Sequence, residues 1–462
     1  MKKGKRAEKK RYERPQIVRH HSGFMNKFGR GSFQTPLREI DGVPVKKLIA
    51  EYGSPLFVIS ESALLKKFRE AKRAFGPRYP KTTFAWSYKT NYLRAVCSVL
   101  HREGAWAEVV SPLEYEMARR LGVPGDKILF NGPAKTAESL SQAARDGARV
   151  HADHFDELHL LEKAAASLGR KLPVGIRVNL DAGIYPAWDR FGFNLESGQA
   201  LEAARRIDAS RTLTLAGLHC HLGTYILDAS AYRRATVKLL DFAALLEAES
   251  GNGLSWLDMG GGFASRNTLH ASYLPGENLI PSLHDYAAAV TEPLLERYAS
   301  QDAAPILFLE SGRAIVDECA TLLTSVLAAK RLASGKRALV VDAGVNALFT
   351  AFWYKHELAL TEDSTSFMED TAVYGPLCMA IDIVRESVML PPLTPGQILA
   401  VRNVGAYNMS QWLQFIHARP AVVMISEAGK PELVRERETL ESMTGPERLP
   451  ERLKGAGENI GG

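Results

Sequence analysis

"FAWSYKTNY", residues 84–92, joins an aromatic, strand-like run to a lysine at its end. Lys89 is either a surface charge closing a strand or an amine turned inward toward a ligand, and the choice depends on the sheet to which the strand belongs. Working outward, short β-branched or apolar runs recur: "TTFAWSYKT", "AWAEVVS", "KILFNGP", "RVHADH", "PVGIRVN", "LAGLHCHLG", "WLDMGGG" and "ILFLESG", eight in all. Between them lie segments with apolar spacing near 3.6, such as "PLEYEMARRLG", "TAESLSQAARDG", "FDELHLLEKAAASLG" and "ASAYRRATVKLLDFAALLEAES". Eight strands alternating with helices predict an α/β fold of the (β/α)8, or TIM, barrel type. A doubly wound sheet is the competing arrangement, since strand count alone does not close a barrel.

The unusual residues fall at the C-terminal ends of these runs, the rim on which barrel enzymes carry their chemistry. They are Lys89, Glu108, Asn131, Asp153, Arg177, His221, the Gly260 to Gly262 run, Glu310 and Arg313. Packing alone does not predict that bias. Beyond Glu310, "RALVVDAG", "TAVYGPLC", "QILAVRNVGAY" and "AVVMISEAG" read as strands separated by Gly and Pro turns. A C-terminal β-sandwich or β-barrel domain is therefore expected, joined from the N-terminal side by "GSPLFVIS", residues 53–60. The expected division is a basic disordered leader at 1–24, a barrel at 61–312, a β domain of 25–60 plus 313–440, and a flexible tail at 441–462.

The chain has 462 residues, 46% of them hydrophobic, enough for a barrel and an accessory domain. Its net charge of +6 hints at nucleic acid, but residues 1–20 hold nine Lys or Arg and two Glu, or +7, leaving about −1 for the remainder. Such a segment, with little to bury, reads as solvated, and no interleaved aromatics support a nucleic-acid partner. No signal core or membrane-spanning run is found, so a soluble, cytoplasmic protein is expected. Cys97, Cys220, Cys319 and Cys378 lack CxxC pairing, which fits reduced thiols rather than disulfides or a zinc site.

A lysine, a carboxylate and a glycine triplet at one barrel mouth suit pyridoxal 5'-phosphate. A lysine amine forms a displaceable Schiff base with an aldehyde. "DMGGGF" offers unhindered backbone amides after the seventh strand, where barrels favour a phosphate cradle. Glu310, leaving an apolar strand, suits the pyridine nitrogen, keeping the ring an electron sink for chemistry at an amino acid's α-carbon. His221 has the shape to stack on that ring. His219 is expected to be structural; a His-x-His metal pair is the other option, but no third ligand is evident at suitable spacing, and no metal is expected.

These residues resemble the fold-type III pyridoxal-phosphate decarboxylases of the diaminopimelate, ornithine and arginine group, most closely the diaminopimelate branch. The resemblance covers about residues 40–430 and rests on "YKTN", "EVVSPLEYE", "RFGF", "HCHLGT", "GGGF", "ESGR", "VDAGVNALF", "YGPLC" and "GAYN", in the family's order. Each is weak alone; the ordered set is specific. The resemblance implies that Lys89 is the Schiff-base lysine, His221 the ring-stacking residue and Glu310 the pyridinium partner. It places Thr224, Gly261, Gly262, Arg313 and Tyr407 around the phosphate, with Gly312 as a further cofactor contact. Glu108 stands near the cofactor where the family usually has Asp. Cys378 matches the cysteine that crosses a homodimer interface to protonate the α-carbon, which implies shared active sites.

Two departures bear on substrate. Met379 stands where the family has an acidic residue that reads the distal amino group, and Thr350 where diaminopimelate decarboxylases have an arginine for the distal carboxylate; Tyr354 keeps a nearby aromatic, and Arg313 remains as a substrate contact. A lost polar partner changes discrimination by ~10⁴ to 10⁵, far more than a methylene. The expected function is therefore α-decarboxylation of an amino acid or an amino-acid-derived intermediate other than free meso-diaminopimelate. The rivals are an amino-acid racemase or epimerase on the same cofactor, against which Glu310 and Cys378 stand, and a catalytically silent homologue acting through protein partners, against which Lys89, Glu310 and Cys378 stand.

Overall fold

All eight runs form strands: β1 (Thr82–Ser87), β2 (Trp106–Val109), β3 (Ile128–Phe130), β4 (Arg149–Ala152), β5 (Leu172–Asn179), β6 (Leu213–His219), β7 (Trp256–Asp258) and β8 (Ile306–Ser311). Each pairs in parallel with the next, and β8 pairs with β1, for example Glu310 opposite Ala85. The sheet is therefore a closed (β/α)8 barrel, and the doubly wound alternative is excluded. The computed structural model describes residues 35–184, 188–272, 276–300 and 302–453. The leader expected at 1–24 and the end of the expected tail, 454–462, lie outside them. Among the described residues no helix is long and apolar enough to cross a membrane.

The helices begin where the side chains supply missing acceptors. Ser111 accepts from the Glu114 amide ahead of Pro112–Arg120, and Thr136 and Ser139 form a reciprocal capping box ahead of Ala137–Asp146. Gly147, at φ +77°, ends the second of these. Asp228 caps the longest helix, Ala229–Ser250.

Strand side chains alternate between faces, so residues two apart share the barrel interior. The Arg149 guanidinium lies 4.6 Å from the Trp106 ring, 5.6 Å from Trp256 and 5.5 Å from Phe308, forming an aromatic and cationic floor. Two residues further along the same strands come Glu108, His151, Asp258 and Glu310, all buried. A polar tier thus sits directly above the floor, toward the C-terminal rim.

The β domain surrounds the long strand Ala320–Arg331. Its first half pairs with Ile398–Arg402 and, antiparallel, with the N-terminal strand Leu56–Ser60; its second half pairs with Arg337–Val341. Leu56–Ser60 is buried along its whole length and pairs in parallel with Ala421–Ile425 on its other side. At the start of the segment expected as a tail, Leu440–Thr444 is helical, with Thr439 and Ser442 capping it reciprocally.

Loops of this domain hold the turn that carries Lys89. The Tyr407 amide donates to the Thr90 carbonyl at 2.8 Å, the Ser410 hydroxyl to the Lys89 carbonyl at 2.7 Å, and the Asn91 side chain to the Gly405 carbonyl at 3.0 Å. Tyr407 adopts φ +60°, a left-handed conformation uncommon in a bulky residue.

Candidate active site

Strand β1 ends at Ser87, and a 3-10 turn, Tyr88–Thr90, swings Lys89 over the barrel mouth. Its amine donates to both oxygens of Glu108, at 2.9 and 2.8 Å. Burial opposes the ammonium charge, but Glu108, Glu310 and Tyr407 outweigh it and hold the Lys89 pKa above its ordinary value. Glu108 also accepts from Ser87 at 2.6 Å and Asn131 at 3.2 Å.

Glu310, on β8, lies at the centre of the polar tier. It accepts from the Asn131 amide at 2.5 Å, His219 Nε2 lies 3.1 Å away, and His221 Nδ1 lies 3.5 Å away. Burial raises its pKa, yet His219 and Lys89 bring it well below the carboxylate range. Neighbouring Asp258 moves the other way, pushed well above that range by burial and by the Glu310 charge. Of this buried acid pair, Glu310 carries the charge and Asp258 keeps the proton. His221 accepts from the Gly261 amide at 3.0 Å through Nδ1, and burial lowers its pKa, leaving a neutral ring.

A cavity of about 540 Å³ opens above these groups. It is lined by Lys89, Glu108, His221, Thr224, Glu310, Arg313, Tyr354 and Tyr407 among the residues expected from sequence. Gly261, Gly262, Gly312, Thr350, Met379 and Cys378 are not among its lining residues. The glycines stand behind the wall: a Cβ on Gly261 would lie 2.2 Å from the Glu310 carbonyl, one on Gly262 2.3 Å from that of Gly223, and one on Gly312 2.5 Å from the Thr90 hydroxyl. Thr350, expected where the distal arginine of diaminopimelate decarboxylases would stand, does not line the cavity. Its hydroxyl is taken up by His356 and Asn408, each at 2.8 Å, in a buried cluster of the β domain. Met379 is half-buried, and Cys378 is exposed on this chain.

Sequence reasoning missed several participants. His219, expected to be structural, faces Glu310. Ligand atoms of His219, Asp258 and Glu310 lie within 4.8 Å of one another, a grouping that leaves out His221 of the His-x-His pair. Trp188, Phe191, Trp353 and Leu269 line the outer cavity. The alternation of inward positions along β4 and β7 was the available signal for His151 and Asp258.

The cavity suits a flat, phosphorylated aldehyde. Arg313 is buried, its guanidinium 4.8 Å from the Tyr407 ring and 4.9 Å from that of Tyr354, with Nε and Nη1 lacking hydrogen-bond partners. The Asp317 carboxylate lies 3.7 Å from Nη1, too far for a hydrogen bond, and buried guanidinium donors without an acceptor call for an anionic oxygen. An amine, an ionised carboxylate and such donors around one cavity fit pyridoxal 5'-phosphate.

Residues 61–317 match the family model for the pyridoxal-binding domain of pyridoxal-dependent decarboxylases. The chain belongs to the pyridoxal-dependent decarboxylases. Like other members of that family, it is a pyridoxal-phosphate enzyme that decarboxylates an amino acid. A diaminopimelate decarboxylase of Archaeoglobus fulgidus is 30% identical over 427 residues, covering 90% of this chain and 97% of that one. One from Helicobacter pylori is 31% identical, covering 86% and 96%. Among solved structures, the M. jannaschii diaminopimelate decarboxylase in complex with L-lysine superposes on this decarboxylase with a TM-score of 0.83 at 28% identity, covering 90% of this chain and 97% of that one. A Vibrio vulnificus lysine/ornithine decarboxylase, at 21% identity and a TM-score of 0.70 with 82% and 95% covered, shares the fold.

Proposed function

We propose that this decarboxylase acts on an amino acid, or the amino-acid end of a larger intermediate, whose distal part is held by an aromatic wall rather than by paired charges. The observation that carries this reading is the outer cavity: Trp188, Phe191, Trp353 and Leu269 line it, while Thr350 is bonded elsewhere. Arg177, the remaining cation there, lies 4.6 Å from the Phe191 ring and 3.7 Å from Asp153.

In this reading Lys89 is the covalent anchor of the cofactor, and Glu108 and Asn131 aim its amine. Bound pyridoxal 5'-phosphate supplies an electron sink that lets the α-carboxylate leave as CO2. Glu310, kept ionised, holds a proton on the ring nitrogen. His221, neutral and buried, packs on the ring face beside Trp188, whose ring is 5.5 Å away. Arg313, Thr224 and Tyr407, backed by Gly261, Gly262 and Gly312, take the phosphate end. Cys378, exposed on its own chain, delivers the α-carbon proton in a second copy's site, so the working unit is a homodimer.

CO2 release from meso-diaminopimelate, lysine, ornithine, arginine, glutamate, aromatic amino acids and carrier-linked amino acids tests the proposal. Preference for a substrate with a neutral distal part is expected. Preference for meso-diaminopimelate would overturn it, and inversion without CO2 would favour the racemase reading.

A further inference from the structure

Below the site, a row of buried donors runs across the barrel interior. The Trp256 indole N–H points at His151 Nε2, 2.8 Å away. An indole nitrogen only donates, so His151 Nε2 is an acceptor. With Nε2 accepting, the single proton of the ring sits on Nδ1. That nitrogen is 2.6 Å from the Asn131 side-chain oxygen. The Asn131 amide is thereby oriented with its NH2 toward Glu310 at 2.5 Å and Glu108 at 3.2 Å. Trp256, His151, Asn131, Glu108 and Glu310 are each no more than 4% exposed, so solvent offers none of them a substitute partner.

The surrounding backbone makes room for this row. A Cβ on Gly217 would lie 2.1 Å from Trp256 Nε1, and one on Gly175 2.3 Å from His151 Cδ2. Two adjacent strands carry glycine where the two rings cross the interior.

We propose that Trp256 and His151 are positioning residues which, through Asn131, keep Glu310 a pure hydrogen-bond acceptor and so hold the proton on the cofactor's ring nitrogen. The direction of the whole row is set by one indole N–H. Without it, His151 is free to move its proton to Nε2, the Asn131 amide turns over, and a carbonyl oxygen faces two carboxylates. This inference rests on the role proposed above for Glu310.

The test uses full-length protein loaded with pyridoxal 5'-phosphate labelled with ¹⁵N in the ring, comparing the ring-nitrogen resonance and cofactor affinity of wild type, Trp256→Phe, His151→Leu, His151→Asn and Glu310→Gln. Trp256→Phe and His151→Leu are expected to move the resonance toward the unprotonated ring and weaken cofactor binding about 10- to 100-fold, the range for losing a partner that orients a ligating group. His151→Asn, which keeps a donor at the Nδ1 position, should hold the wild-type resonance. A double variant of Trp256→Phe and His151→Leu should be no worse than the more severe single variant, since both interrupt one row. A wild-type resonance in both Trp256→Phe and His151→Leu, or equal loss in His151→Leu and His151→Asn, overturns the proposal. Should Glu310→Gln also leave the resonance unmoved, the assignment of Glu310 itself fails, a different result from failure of the row alone.

Discussion

At the scale of single residues, the site is a balance between buried charges, with Lys89 as the cation shared by Glu108 and Glu310. Lys89→Ala removes both that cation and the proposed covalent anchor. Turnover is expected to fall on the order of 10⁴-fold or more, with the bound-cofactor absorbance lost on gel filtration. Glu114 makes a separate prediction. Burial raises its pKa to about 7 while the Val110 amide donates to it at 2.8 Å. A carboxyl raised in the folded state favours folding fully below its unfolded pKa, and that contribution is lost as pH rises toward about 7. Acidification from pH 8 to 5.5 should therefore stabilise the protein through this group by about 2 kcal/mol, and Glu114→Gln should flatten that part of a denaturant-midpoint profile. Lys89, Glu310 and His221 stood out in the sequence because they fall at or just past the C-terminal ends of strands. His151, Trp256 and Asp258 were not, because an interior polar tier emerges only when inward positions of non-adjacent segments are aligned. Thr350 shows the converse: a matched position does not say which way a side chain points.

At the scale of elements, the eight barrel strands and four of the helices are readable from periodicity and caps. The β domain is less so: strands Leu358–Leu360, Ile383–Leu390 and Pro431–Arg435 join the four expected runs, and the pivotal Ala320–Arg331 serves three partners. Alternation reports one face of a strand but not its neighbours. Leu56–Ser60 has the greater consequence, being flanked on both sides by strands from beyond residue 319. Phe57 is fully buried there with its ring 5.9 Å from that of Trp412, next to the cavity residue Gln411. Phe57→Ala is expected to cost roughly 3–5 kcal/mol in denaturant unfolding and to weaken cofactor retention in parallel; loss of stability with retention unchanged would separate the strand from the site.

At the scale of the whole molecule, the proposed sharing of sites between two copies has a direct check. Chains carrying Lys89→Ala, mixed with chains carrying Cys378→Ala, should regain part of the activity that each lacks alone, whereas no recovery on mixing would place Cys378 outside the reaction. Cys97, Cys220 and Cys319 are buried, leaving Cys378 as the exposed thiol among the described residues. The joints that fix the Lys89 turn carry a final consequence. Its carboxylate counterpart, Glu310, arrives with the last barrel strand, and its carbonyls are clasped by Tyr407 and Ser410. A ribosome must therefore translate past Ser410 before the vitamin has the proposed site in which to dock, and chains terminated before that point should stay colourless in its presence. Colour acquired during synthesis would then time the arrival of the segment from Glu310 to Ser410.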